Sequence, residues 1–308
     1  LDVQAAVDSA ANGDTVTVPA GSCTWDTPLV NTNARYMSIL GAGIGNTVIT
    51  DAVPASGSGR VVDWVSVDGG LTRISGFTWQ GGSVVDSDQQ GMVVITGNSS
   101  QVRFDNNRVN DTRRQPFKVN GYVRGVADHN TFNRDEQVGT NNGVTVDHNT
   151  WGNVGSFGDN SWAQTETFGT SEAFYLEDNT WTSTAPVQVD FGTDGQAGGR
   201  SVYRFNTFTN NNVPTHGSDS GGRIRSNRQF EAYNNATVYD FNPTGDNLIP
   251  YLTRGGVAMV WDNTLALSNG ATTTGIYSPA VYRHTESQEG RWGGWCKQVS
   301  VASITAVG

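Results

Sequence analysis

One short phrase recurs down most of this chain: an alternating apolar strand, a polar pair, an Asn, a Thr or similar residue, and an apolar closer. Val144–Trp151 reads V-T-V-D-H-N-T-W, Phe174–Trp181 reads F-Y-L-E-D-N-T-W and Ser201–Phe208 reads S-V-Y-R-F-N-T-F. Looser copies are Val102–Val109 (V-R-F-D-N-N-R-V), the D-H-N-T-F that ends at Phe132, Phe230–Asn235 (F-E-A-Y-N-N) and Met259–Leu265 (M-V-W-D-N-T-L). With the Asn as marker, Asn107, Asn130, Asn149, Asn179, Asn206, Asn234 and Asn263 lie 23, 19, 30, 27, 28 and 29 residues apart. A period of 20–50 residues signals a solenoid, and strand-plus-turn units make it a β-solenoid.

Each part of the phrase has a physical job. In V-T-V the valines face one way and Thr145 the other, the period of a strand with one buried face. Asn tolerates a tight bend that β-branched residues resist, and its amide both donates and accepts. Stacked at one bend, such amides bond along the axis and satisfy turn backbone that would otherwise be buried unpaired. Trp79, Phe132, Trp151, Trp181 and Phe208 then form an internal aromatic ladder. The expected fold is all-β, a right-handed parallel β-helix.

Bulk properties agree and exclude several function classes. Charged residues are 16 % and Gly is 38 of 308, a turn-dense β profile. A net charge of −10 and a pI near 4.7 argue against nucleic-acid binding. No apolar run approaches the ~18 residues of a membrane span. Two cysteines without metal spacing exclude a zinc module. A start at Leu1, without Met or signal peptide, fits a secreted protein in mature form, hence an extracellular location.

In chain order, Leu1–Ala11 has an amphipathic spacing with Asp2 as N-cap and Asn12-Gly13 as stop, the pattern of a capping helix over residues 1–12. Asp14–Ala20 is the first strand. Arg35–Thr50 holds two apolar strands around G-A-G-I-G, read as a tight corner because no helix follows it. The solenoid is expected over residues 13–267, with a terminal cap or return segment over 268–308. Cys23 sits in the first coil and Cys296 beyond the last, roughly nine coils of ~4.8 Å away, whereas a disulfide needs Cα atoms within ~7 Å. They pair only if the C-terminal segment runs back along the helix, the preferred route, or between chains.

The opening A-A-V-D-S-A-A-N-G-D-T-V-T-V-P-A-G and the following I-L-G-A-G-I-G-N-T-V-I resemble right-handed parallel β-helix proteins of the pectate-lyase-like class. Gly158–Trp162, Phe174–Trp181, Thr215–Arg225 and Phe230–Asn235 resemble secreted bacterial β-helix proteins of unassigned activity. The resemblance spans about residues 3–265 and is specific for fold rather than chemistry. It implies a capping helix, three-stranded coils, an Asn ladder and an extracellular, carbohydrate-directed role.

Phase relative to the marker Asn picks out candidate site residues. Arg124, Arg200 and Arg228 lie six residues ahead of Asn130, Asn206 and Asn234, and Arg225 and Arg254 lie nine ahead of Asn234 and Asn263. Without bulges Arg200 stacks over Arg228, and Arg225 over Arg254, at the ~4.8 Å strand spacing. His216 and Asp190 share a similar phase. One reading is a groove for an acidic polysaccharide, its carboxylates gripped by Arg200, Arg228 and Arg254, with Trp162 stacking on a sugar ring. The other is that Asp194, Asp219 and Glu231 neutralise these arginines in structural ion pairs.

As an enzyme, the chain would be a polysaccharide lyase. Arg225 neutralises the uronate carboxylate, His216 takes the adjacent proton and Asp190 orients the imidazole. No metal-ligand set is expected; Ca²⁺ is an open requirement. Val146-Asp147-His148 resembles the I-D-H of pectate lyases, but Asp128-His129 repeats it, so it reads as part of the repeat. His216-Gly217 and Arg223-Ile224-Arg225 resemble the H-G and R-I-K of polygalacturonases, yet neither N-T-D nor D-D occurs, so paired-carboxylate hydrolysis is not carried over. The alternative to an enzyme is a structural or adhesive solenoid, a surface, tail-fibre or filament component that self-associates.

Overall fold

Residue alternation and the recurrent bend build a parallel β-helix. The computed structural model describes residues 2–31, 33–54, 59–82, 91–112, 115–134, 144–147, 165–184, 190–191, 193–196, 198–215, 227–240, 249–253, 256–271 and 277–279. Its strands stack into three faces, every ladder parallel. The first face runs through Thr15–Thr17, Ser38–Leu40, Thr72–Ser75, the ends of Gly91–Asp105 and Gln115–Asp128, then Phe174–Glu177, Arg200–Arg204, Gln229–Tyr233 and Val257–Trp261. The second face has nine strands, from Gly21–Trp25 to Thr264–Leu267. The third runs from Leu29–Asn31 through Val62–Val67 and the beginnings of the two long strands to Val144–Asp147 and Thr193–Gln196. Beside it, Asp190–Phe191, Asn211–Pro214, Tyr251–Thr253 and Tyr277–Pro279 form a short ladder. Parallel pairing reaches Tyr277–Pro279 against Tyr251–Thr253, because a strand needs backbone partners but no ladder Asn.

The start is closed by the helix Val3–Ser9, whose N-cap Asp2 accepts from the N–H groups of Gln4 and Ala5. Val7 is fully buried, and the Gln4 side chain both donates to Val30 O (2.9 Å) and accepts from Val30 N–H (2.8 Å). An exposed strand edge invites further pairing, and this contact occupies part of it. The G-A-G-I-G stretch is a corner as expected: a Cβ on Gly41 would stand 2.4 Å from Gly76 O of the next coil.

The ladder joins the first face to the second. Asn179 donates from both backbone N–H (3.0 Å) and Nδ2 (3.2 Å) to Asn206 Oδ1, and its Nδ2 reaches back to Ala127 O (2.8 Å). The same bonds link Asn107, Asn130, Asn179, Asn206, Asn235 and Asn263 in one row. Inside, Phe132, Trp181 and Phe208 stack at centroid separations of 5.0 and 4.7 Å, and Phe174 and Leu176 are fully buried.

Two rungs differ from the expectation. Asn130 bonds directly to Asn179 across 49 residues, and Phe132 faces Trp181, so these two rungs are direct neighbours; the expected rung at Asn149 and Trp151 falls outside the described residues. Val144–Asp147 instead pairs with Lys118–Asn120 on the third face; residues 148–151 lie outside the described ones. Alternation marks V-T-V-D as a strand, but any face accepts an alternating strand. The second difference is that Asn235, not Asn234, is the rung. Asn234 occupies the preceding left-handed bend (φ 55°), shared with Asn106, His129, Asp178, Phe205 and Asp262. Asn suits both the bend and the rung, so an N-N pair leaves the marker ambiguous by one residue.

Candidate functional site

That one-residue slip moves the arginines. The register sets Arg200 opposite Gln229, so Arg200 does not stack over Arg228. Arg200 is 3 % exposed and lies beneath the segment 165–169, donating from Nη1 to Thr165 O (3.1 Å), Thr167 Oγ1 (3.3 Å) and Gln229 Oε1 (3.4 Å). Arg228 pairs with Glu166 of the same segment. The Glu166 carboxylate is held below the usual range first by a hydrogen bond from its own backbone N–H, then, against a burial penalty, by the charges of Arg228 and Arg200. Thr167 N–H donates to Gln229 Oε1 (2.8 Å) and Gly169 N–H to Glu231 Oε1 (3.3 Å). Arg124 pairs with Glu172 at 2.7 Å.

The arginines of this region that are described thus belong to a strap that binds the return of the chain onto the first face. Among the described residues Arg228 and Arg124 are ion-paired, with Glu166 and Glu172, and Glu231 accepts from Gly169 N–H; Asp219 and the side chain of Asp194 lie outside the described residues. Asp190 lies on the short ladder opposite Asn211. His216, Arg225, Arg254 and Trp162 lie outside the described residues, as does Cys296; Cys23 is exposed. Among the described residues no three His, Cys, Asp or Glu side chains converge as a metal site, and no helix is long and apolar enough to cross a membrane.

What the structure does assemble is a row on the outer side of the first face. The position two residues before each ladder Asn holds Asp105, Asp128, Glu177, Arg204, Tyr233 and Trp261 on successive coils. Its first half is ionic. Arg73 forks onto Asp105 (2.7 Å from Nε) and Arg103 onto Asp128 (2.7 Å from Nη2), while His129 Nδ1 lies 2.8 Å from Asp128. Asp105 is buried, which pushes its carboxyl up, but hydrogen bonds from Arg73 and Asn106 and the charges of Arg73 and Arg103 together hold it below its ordinary value.

The second half is aromatic. The Arg204 guanidinium lies 4.7 Å over the Tyr175 ring and 5.7 Å from that of Phe205, pairs with Glu177, and donates to Tyr233 Oη at 3.0 Å. Phe205 meets Tyr233 edge-on (6.2 Å, 79°), and Tyr233 stacks on Trp261 at 4.2 Å and 12°. Phe205 is 49 % exposed and Trp261 40 %, so the row offers ring faces and edges to solvent. Sequence reasoning missed these residues. With Asn235 as the marker, Tyr233 and Trp261 fall at one phase, two before their rungs, and the row becomes legible.

The chain matches no protein-family model, and no curated protein matches its sequence.

Proposed function

We propose that this chain is an extracellular, carbohydrate-directed β-helix of the pectate-lyase-like class that holds a polysaccharide along the row Tyr175, Arg204, Phe205, Tyr233 and Trp261. The observation that supports this reading is Phe205. It occupies the left-handed bend at φ 59°, where the other described coils from Gly76 onward carry Gly, Asn, Asp or His, and it is half exposed there. A bulky side chain in this conformation costs about 1–2 kcal/mol, and strain kept at an exposed position points to use. Rings present flat apolar faces for the CH faces of a sugar, and the Tyr hydroxyl, Arg204 and Glu177 offer donors and acceptors for its hydroxyls.

The test separates binding from folding. Phe205→Asn should raise stability by about 0.5–1 kcal/mol, because Asn is the better left-handed residue. It should also weaken polysaccharide binding several-fold, read by calorimetry and by the fluorescence of Trp261. Unchanged binding would refute the platform. β-Elimination by His216, Asp190 and Arg225 on a uronate chain is the rival outcome: unsaturated product absorbing in the enoate band, lost in His216→Ala, would establish it.

A further inference from the structure

We infer that the glycan held along this row is uncharged rather than a uronate chain, an inference that rests on the saccharide-platform reading and names its ligand class. A site for uronates needs cations free to grip carboxylates. Beside the row the guanidiniums among the described residues are already engaged: Arg204 by Glu177 and Tyr233 Oη, Arg228 by Glu166, and Arg124 by Glu172. Arg200 is buried beneath the strap.

Among the described residues of this corner, the charges that face solvent without an ion-pair partner are negative. Asp178 and Asp262 occupy the same left-handed corner as Phe205, one coil before it and two coils after. Both are exposed, and neither has an ion-pair partner among the described residues. At ~4.8 Å per coil they flank a sugar on Phe205 at roughly 5 and 10 Å. Those distances are comparable to the ~8–10 Å over which salt screens exposed charges. A carboxylate on that sugar is repelled from both sides, within a chain of net charge −10. A neutral sugar meets no such field and keeps the ring contacts and the polar groups between them.

The experiment titrates the full chain by calorimetry, at low and physiological salt, with soluble neutral glucans, mannans and xylans and with pectate and alginate. At least one neutral polymer should bind with an affinity that salt barely changes, and the uronates should bind at least tenfold more weakly. Asp178→Asn combined with Asp262→Asn should strengthen uronate binding several-fold at low salt. Pectate or alginate bound as tightly as any neutral polymer, and weakened by Phe205→Asn, would overturn the ligand class while leaving the platform standing. No binding to any polymer would remove the platform itself, and the ligand class with it. Uronate binding unmoved in the double variant would show that these two carboxylates do not set the selectivity.

Discussion

Replacing Asn235 by Ala and Asn234 by Gly tests the ladder at the place where two adjacent asparagines compete for one role. Asn235 Oδ1 accepts from Asn206 N–H (3.0 Å) and Asn206 Nδ2 (2.9 Å), and its own Nδ2 donates to Tyr203 O and Asn263 Oδ1, both at 2.9 Å. Asn206 is 1 % exposed, so Asn235→Ala strands its N–H without water, at a cost of about 1–3 kcal/mol. The three other lost bonds add about 0.5–1.5 kcal/mol each, for a total of roughly 2.5–7.5 kcal/mol. Asn234 has its side chain outside the ladder and needs only a residue at ease at φ 55°, which Gly is. Asn234→Gly should therefore change stability by no more than about 0.5 kcal/mol. Urea unfolding followed by circular dichroism reads both as midpoint shifts at unchanged slope. Equal shifts, or a larger one for Asn234→Gly, would refute this assignment of the rung. A solenoid can also unfold in parts, so a broadened transition confined to Asn235→Ala would mark the local loss of one coil interface.

The ionic half of the outer row should show in acid. The carboxyl of Asp105 lies below its ordinary value, so its contribution is present above the unfolded value of about 3.9 and is lost as pH falls through the lower folded value. Arg73→Gln removes the forked partner and should cost about 1–2 kcal/mol near neutrality, discounted because the Arg73 side chain is 31 % exposed. The gap between wild type and variant should shrink below about pH 4, and a gap constant from pH 7 to 3 would count against the assignment. At the corner, Gly41→Ala drives a methyl to 2.4 Å from a backbone oxygen of the next coil and should cost about 1–3 kcal/mol in thermal or urea unfolding. An unchanged midpoint would mean that the two coils approach less closely than described.

The fold was legible because its signals are local. Asp2 and the spacing of Val3 and Val7 announce the cap helix, and the alternation in F-Y-L-E with the closer Trp181 announces strand, bend and core. The errors share one cause: a repeat with three similar faces and two interchangeable bend residues has phase, and phase is not a local property. V-T-V-D suits either the first or the third face, and only pairing with Lys118–Asn120 chooses the third. Asn234-Asn235 suits the rung in either order until the amide of Asn206 selects one acceptor.

The same distinction decides the site. The sequence by itself determined that aromatic, acidic and basic residues stand outward on stacked strands, because alternation assigns each strand an inner and an outer set. Which of them become neighbours was decided only by the tertiary structure, since a slip of one residue exchanges one set for the other. That slip carries Arg200 from an imagined cationic groove to a buried place opposite Gln229, and brings Tyr233 and Trp261 into one stack.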